Sequence, residues 1–151
     1  MYFQNPPQQI WFAAMLVMCG VVLWRGDRAA KLAGLACVAA WFFTPIAHFT
    51  HSWVGPQWGI LSVDLLLLLS LLWLALRSDR IWLLFAAAFQ LLEVVMHLAM
   101  AADRSVAPLP YALGLAIWSY LVLLTVGVGG WTGRRSDKPQ SATDVAAPTL
   151  R

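Results

Sequence analysis

Charge is what this chain has least of: Asp, Glu, Lys and Arg make up 11% of its 151 residues, against about 25% in an average soluble domain. So little charge leaves no room for a solvated surface, and a water-soluble globule is excluded at the outset. Cysteine is nearly absent too. Cys19 and Cys37 both fall in apolar surroundings, where a thiol serves as a small packing residue, and two such residues imply no disulfide framework. Catalytic patterns are missing as well: there is no HExxH, no GxSxG and no Cys-rich metal motif. Neither Ser62 nor Ser70 has a His at a spacing that would place both on one helix face, so nucleophilic catalysis lacks its parts. No internal or inverted repeat marks a transporter core. The reading leans away from an enzyme.

What fills the chain instead is hydrocarbon, with 61% hydrophobic residues. Five apolar stretches run approximately 10–24, 29–49, 58–76, 81–102 and 111–131. Each approaches the roughly 20 residues that cross roughly 30 Å of bilayer as helix. The expected fold is all-α, a polytopic membrane bundle of five transmembrane helices over residues 1–131. The remainder, 132–151, is rich in Ser, Thr, Pro, Ala and charge and is expected to form a disordered cytoplasmic tail. The first stretch is the shortest, but its basic residues follow rather than precede it, the reverse of a cleaved secretory signal. A helix beginning near Pro7 would be long enough to span.

The basic residues are clustered, and the clusters predict orientation. Arg25, Arg28, Lys31, Arg77, Arg80, Arg134, Arg135 and Lys138 lie at one set of helix ends, and only Arg104 at the other. Eight against one predicts the N-terminus outside and the C-terminus inside. The same clustering explains a pI near 9.2 without a nucleic-acid partner. The expected surroundings are the lipid bilayer and another membrane protein or a second copy of the chain.

The ionisable residues inside the apolar stretches all lie toward the outer end. Gln90, Glu93 and His97 are spaced i, i+3, i+7 and share one helix face, with Glu93 placed to contact His97 one turn on. Asp64, His97 and Glu93 fall roughly 9, 8 and 14 Å below the outer boundary at 1.5 Å per residue, while His48 and His51 sit at the outer end of the second stretch. Pro45 removes a helical hydrogen bond just before His48. The expectation is one polar shell drawn from the second, third and fourth helices.

Three explanations compete for this shell. In the first, His97 or His48 hydrogen-bonds Asp64 and Glu93 and clasps three helices together, because polar groups in lipid must be satisfied whether or not anything binds. In the second, Asp64, Gln90, Glu93 and His97 handle a small ligand or protons in an outward-facing cavity. In the third, His48, His51 and His97 hold a divalent metal, or His48 and His97 hold a b-type haem.

Two resemblances bear on these alternatives. The stretch Trp53-Val54-Gly55-Pro56-Gln57-Trp58 resembles the Trp- and Pro-rich lead-in to the second helix of the tryptophan-rich sensory (TspO) family, whose members also have five helices. It covers about a dozen residues, stands here before the third stretch, and implies a tetrapyrrole- or sterol-binding pocket. The turn Leu76-Arg77-Ser78-Asp79-Arg80, followed by Trp82 and a late His97, is similar to small multi-helix inner-membrane proteins of alphaproteobacteria. That likeness covers most of the chain and implies an inner-membrane location, with no activity attached. The expected function is that of a non-catalytic accessory or interaction protein of a membrane assembly. The alternative is an outward-facing binding protein for a small molecule, a metal or haem b.

Overall fold

A computed structural model describes residues 6–49, 58–103 and 108–133, with side chains for all of these except 6–8, 47–49, 108 and 133. The described residues form five α-helices and no strand: α1 (Pro6–Arg25), α2 (Arg28–Phe49), α3 (Trp58–Arg77), α4 (Ile81–Ala102) and α5 (Pro108–Gly133). Four of them contain spans long and apolar enough to cross a membrane, and α1 contributes a shorter apolar run, Gln9–Arg25. The segment expected to begin near Pro7 starts at Pro6, where the absent proline N–H is lost at no cost because first-turn donors have no intrahelical partner. In α2 the helix continues through Pro45 to Phe49. Of the tail expected over 132–151, Thr132 and Gly133 still belong to α5; 134 onward, the residues around Ser52, and His51 lie outside the described residues.

The helices close into a ring in which α1 packs on α2, α2 on α3, α3 on α4, α4 on α5 and α5 back on α1, with α5 also reaching across to α2. Its inside is apolar and its outside is too. Leu71 and Leu83 are fully buried, whereas Leu66, Leu76, Phe85 and Leu124 stand more than half exposed. Burying a Leu or Phe removes roughly 1.5–3 kcal/mol of unfavourable hydration each; a ring that leaves so many of them outward is stable only where the solvent is itself hydrocarbon.

Small residues set the helix spacing. The Ala30 and Ala33 side chains are fully buried on α2, and Val22 of α1 inserts between Gly34 of α2 and Gly130 of α5, where an added methyl would meet Val22 Cγ1 at 3.2 Å and Cγ2 at 2.8 Å. On the facing pair, the indole of Trp82 lies so close over Gly129 that a Cβ there would collide with the ring. These contacts pin α1, α2, α4 and α5 at one end of the bundle.

The same end is tied by polar bonds. Asp27 sits in the two-residue turn between α1 and α2, accepts a hydrogen bond from the Ala30 amide at 2.8 Å as the cap of α2, and takes Arg80 Nη2 at 2.8 Å from the turn before α4. One carboxylate therefore joins both turns. Arg25, the last residue of α1, lies over the rings of Trp24 and Trp131, 5.0 and 4.1 Å from their centroids, which brings the C-terminal end of α5 to this basic end. The opposite end of the ring holds the polar residues.

Candidate ligand cavity

On α4 the buried face reads Leu83, Ala86, Ala87, Gln90, Glu93, Val94, His97, a continuous stripe at helical spacing. Its three polar members are 1–5% exposed. Such groups, withdrawn from both water and lipid, must find partners inside the ring, and they do so in two tiers. Nearer the far end, His97 Nε2 lies 2.9 Å from Asp64 Oδ2 on α3, and the Tyr111 hydroxyl on α5 lies 2.7 Å from His97 Nδ1. With its proton on Nε2 the imidazole donates to the carboxylate and accepts from the phenol, satisfying both ring nitrogens at once. About one turn deeper, Glu93 accepts a hydrogen bond from Gln90 Nε2 at 3.0 Å on its own helix and another from the Ser119 hydroxyl on α5.

Among the described side chains the bonded shell is built by α3, α4 and α5; the sequence pointed to the second, third and fourth helices, and its candidates on the second, the His48 side chain and His51, lie outside the described residues. Helix α5 packs directly against α4, whereas α2 and α4 share no close backbone approach among the described residues. The expected contact between Glu93 and His97 is replaced by longer-range ones: each of the two turns away to a hydroxyl on α5. Tyr111 and Ser119 were missed, although a signal existed. In antiparallel neighbours, residues counted from the two helix ends at the shared turn lie at similar depth: His97 is 5 residues before the end of α4 and Tyr111 3 after the start of α5, and Glu93 and Ser119 are 9 and 11 from the same ends, so each pair agrees to within about 3 Å at 1.5 Å per residue.

Both tiers open into one cavity of about 270 Å³ lined from all five helices. Asp64, Gln90, Glu93, His97 and Ser119 form its polar wall, and Trp11, Trp41, Thr44 and Cys37 face them from α1 and α2. The indoles of Trp11 and Trp41 are nearly parallel, with planes 19° apart and centroids 6.1 Å apart, and Phe12 braces Trp41 at 5.3 Å. No Lys or Arg is among the described residues lining the cavity.

The metal and haem expectations turn on three histidines, of which only His97 has its side chain among the described residues. His48 has its backbone in α2 but its side chain lies outside the described set, as does all of His51. Among the described residues no three His, Cys, Asp or Glu side chains are grouped to hold a metal ion. Both nitrogens of His97 are engaged, so iron ligation would first have to break the bond to Asp64 or to Tyr111.

No protein-family model matches the chain, and no curated protein or solved structure matches it. The class it falls into comes from its own architecture: a bundle whose described residues are helical, with an apolar exterior and an apolar core interrupted by one polar shell, compatible with an integral membrane protein.

Proposed function

We propose that the chain is a non-catalytic multi-pass protein of a bacterial inner membrane that holds a small organic cation in the cavity among its five helices. The observation that carries this reading is the joint lining of one cavity by two carboxylates, Asp64 and Glu93, and two indoles, Trp11 and Trp41, with no basic Lys or Arg among the described lining residues. Carboxylates supply charge, and indole faces attract a cation most strongly of the aromatic rings while adding apolar area. A volume of about 270 Å³ lies just below the roughly 300–1,000 Å³ of typical ligand pockets, which suits a compact quaternary ammonium group rather than a tetrapyrrole or sterol.

The test is thermal unfolding of the detergent-purified protein with choline and with its neutral carbon isostere 3,3-dimethyl-1-butanol. Choline should raise the midpoint in a concentration-dependent way and the isostere should not; Trp41→Leu and Glu93→Gln should each weaken the choline response. Equal responses to the two compounds, or none to choline, would remove the cation reading. A second reading, an accessory subunit of a larger membrane assembly, is supported by the self-satisfied bonding of Asp64, His97, Tyr111, Glu93, Gln90 and Ser119, which clasps three helices without any ligand. Co-purification of a stoichiometric partner after mild extraction would favour it.

A further inference from the structure

Along the outside of the bundle, between α1 and α5, runs a second concavity of about 740 Å³ that is almost wholly apolar, with Ala14, Val17, Val21, Leu124, Gly127 and Trp131 on its walls. It follows α5 from Ile117 to Trp131, about 20 Å at 1.5 Å per residue, and so covers about the 15 Å depth of one leaflet's hydrocarbon. Its basic end stops at Trp131, and there Arg25 is fixed: the guanidinium lies 4.1 Å from the Trp131 ring centroid and 5.0 Å from that of Trp24. Among the described residues Arg25 has no carboxylate partner, and its buried Nε has no hydrogen-bond partner. At the other basic turn Arg80 is held by Asp27, and Arg77 lies over the Trp73 ring at 4.7 Å, away from the residues that line this groove.

We infer that this groove seats one acyl chain of an anionic phospholipid, whose phosphate is recognised by Arg25. Three features converge on that occupant. Length matches a single leaflet. An apolar wall suits a chain rather than a headgroup, and a guanidinium without a carboxylate sits where the chain meets the interface, presenting N–H donors in the fork geometry that suits phosphate. The two indoles hold the arginine in place, so less side-chain freedom is lost when the lipid binds.

Native mass spectrometry of the full chain, titrated with phosphatidylglycerol and with phosphatidylcholine of identical acyl chains, tests the inference. Phosphatidylglycerol should be preferred about fivefold, equivalent to ~1 kcal/mol for one basic residue at an anionic surface. Arg25→Gln should abolish the preference while leaving phosphatidylcholine binding, and Arg25→Lys should restore part of it. Gly127→Leu projects bulk into the groove, where an added Cβ meets only Met18 Cγ at 3.6 Å, and should lower occupancy by both lipids alike. Equal affinity for the two lipids, a preference that survives Arg25→Gln, or lipid occupancy untouched by Gly127→Leu would each overturn the proposal. So would a dimer cross-linked through cysteine placed at Leu124, which would make the occupant a second copy of the chain. If Arg25→Gln fails to fold, the two wild-type titrations and Gly127→Leu still decide.

Discussion

His97 Nε2 and Asp64 Oδ2 stand 2.9 Å apart across α3 and α4, and the other ring nitrogen of His97 takes Tyr111 from α5. One imidazole therefore holds three helices, and its removal leaves a carboxylate and a phenol without their partner.

Replacing Asp64 or His97 by Leu should destabilise the protein in detergent, since each single change strands a buried partner. Polar contacts within membrane bundles average about 0.6 kcal/mol and reach about 1.7 kcal/mol. The coupling between Asp64→Leu and His97→Leu should fall in the upper part of that range, because the pair is buried and in direct contact. A double-mutant cycle on unfolding free energy reads it; strictly additive losses would show that the bond contributes nothing.

Glu93 should couple more strongly to Ser119 than to His97. Its carboxylate accepts from Ser119 and Gln90, and Glu93→Leu leaves both of these donors without their acceptor, a cost of about 1–3 kcal/mol. Ser119→Ala removes one stranded donor, so Glu93→Leu with Ser119→Ala should lose less than the sum of the two. Glu93→Leu with His97→Leu should be additive to within about 0.5 kcal/mol. The reverse ranking would mean that the two tiers form one network through Glu93 and His97.

The helices were legible because hydrocarbon thickness imposes a length on each apolar run, and no soluble alternative competed with it: α4 spans the expected 81–102, and α2 and α3 differ from their expected bounds by one residue at one end. The polar face of α4 was legible for the same reason, as periodicity places Gln90, Glu93 and His97 together. Their partners were harder to see. Asp64 is a charge in a Leu-rich run and stands out, whereas Ser119 and Tyr111 are residue types that also occur at lipid-facing or interfacial positions. Choosing them required knowing that α5 packs on α4, which is a property of the closed ring rather than of either segment. Asp27 stands in a two-residue turn, and nothing in its neighbourhood along the chain announces Arg80, 53 positions away.

At that basic end the cap should matter more than the ion pair. Asp27→Ala removes the acceptor for the Ala30 amide as well as the partner of Arg80, and loss of an N-cap costs about 1 kcal/mol. Arg80→Gln removes only the pair, whose side chains keep 23% and 11% exposure; partly exposed pairs contribute about 0–1 kcal/mol. Thermal midpoints in detergent should therefore drop more for Asp27→Ala than for Arg80→Gln, and Asp27→Asn, which keeps an oxygen acceptor, should fall closer to the arginine variant. Equal drops for Asp27→Ala and Arg80→Gln would assign the whole effect to the ion pair.

Orientation follows from the side on which the arginines collect. Arg25, Arg28, Lys31, Arg77 and Arg80 all belong to the end tied by Asp27, and translocating that many cations in short turns opposes the membrane potential by about 2.3 kcal/mol per charge at 100 mV. The basic end should face the cytoplasm, which would turn the polar cavity outward. A reporter that fluoresces only in the cytoplasm should be bright when inserted between Ser78 and Asp79 or fused after Arg151, and dark when inserted at Gly55. Fluorescence at Gly55 together with a dark Ser78–Asp79 insertion would invert the bundle, so that the cavity would face the cytoplasm and any cation it binds would have to come from there.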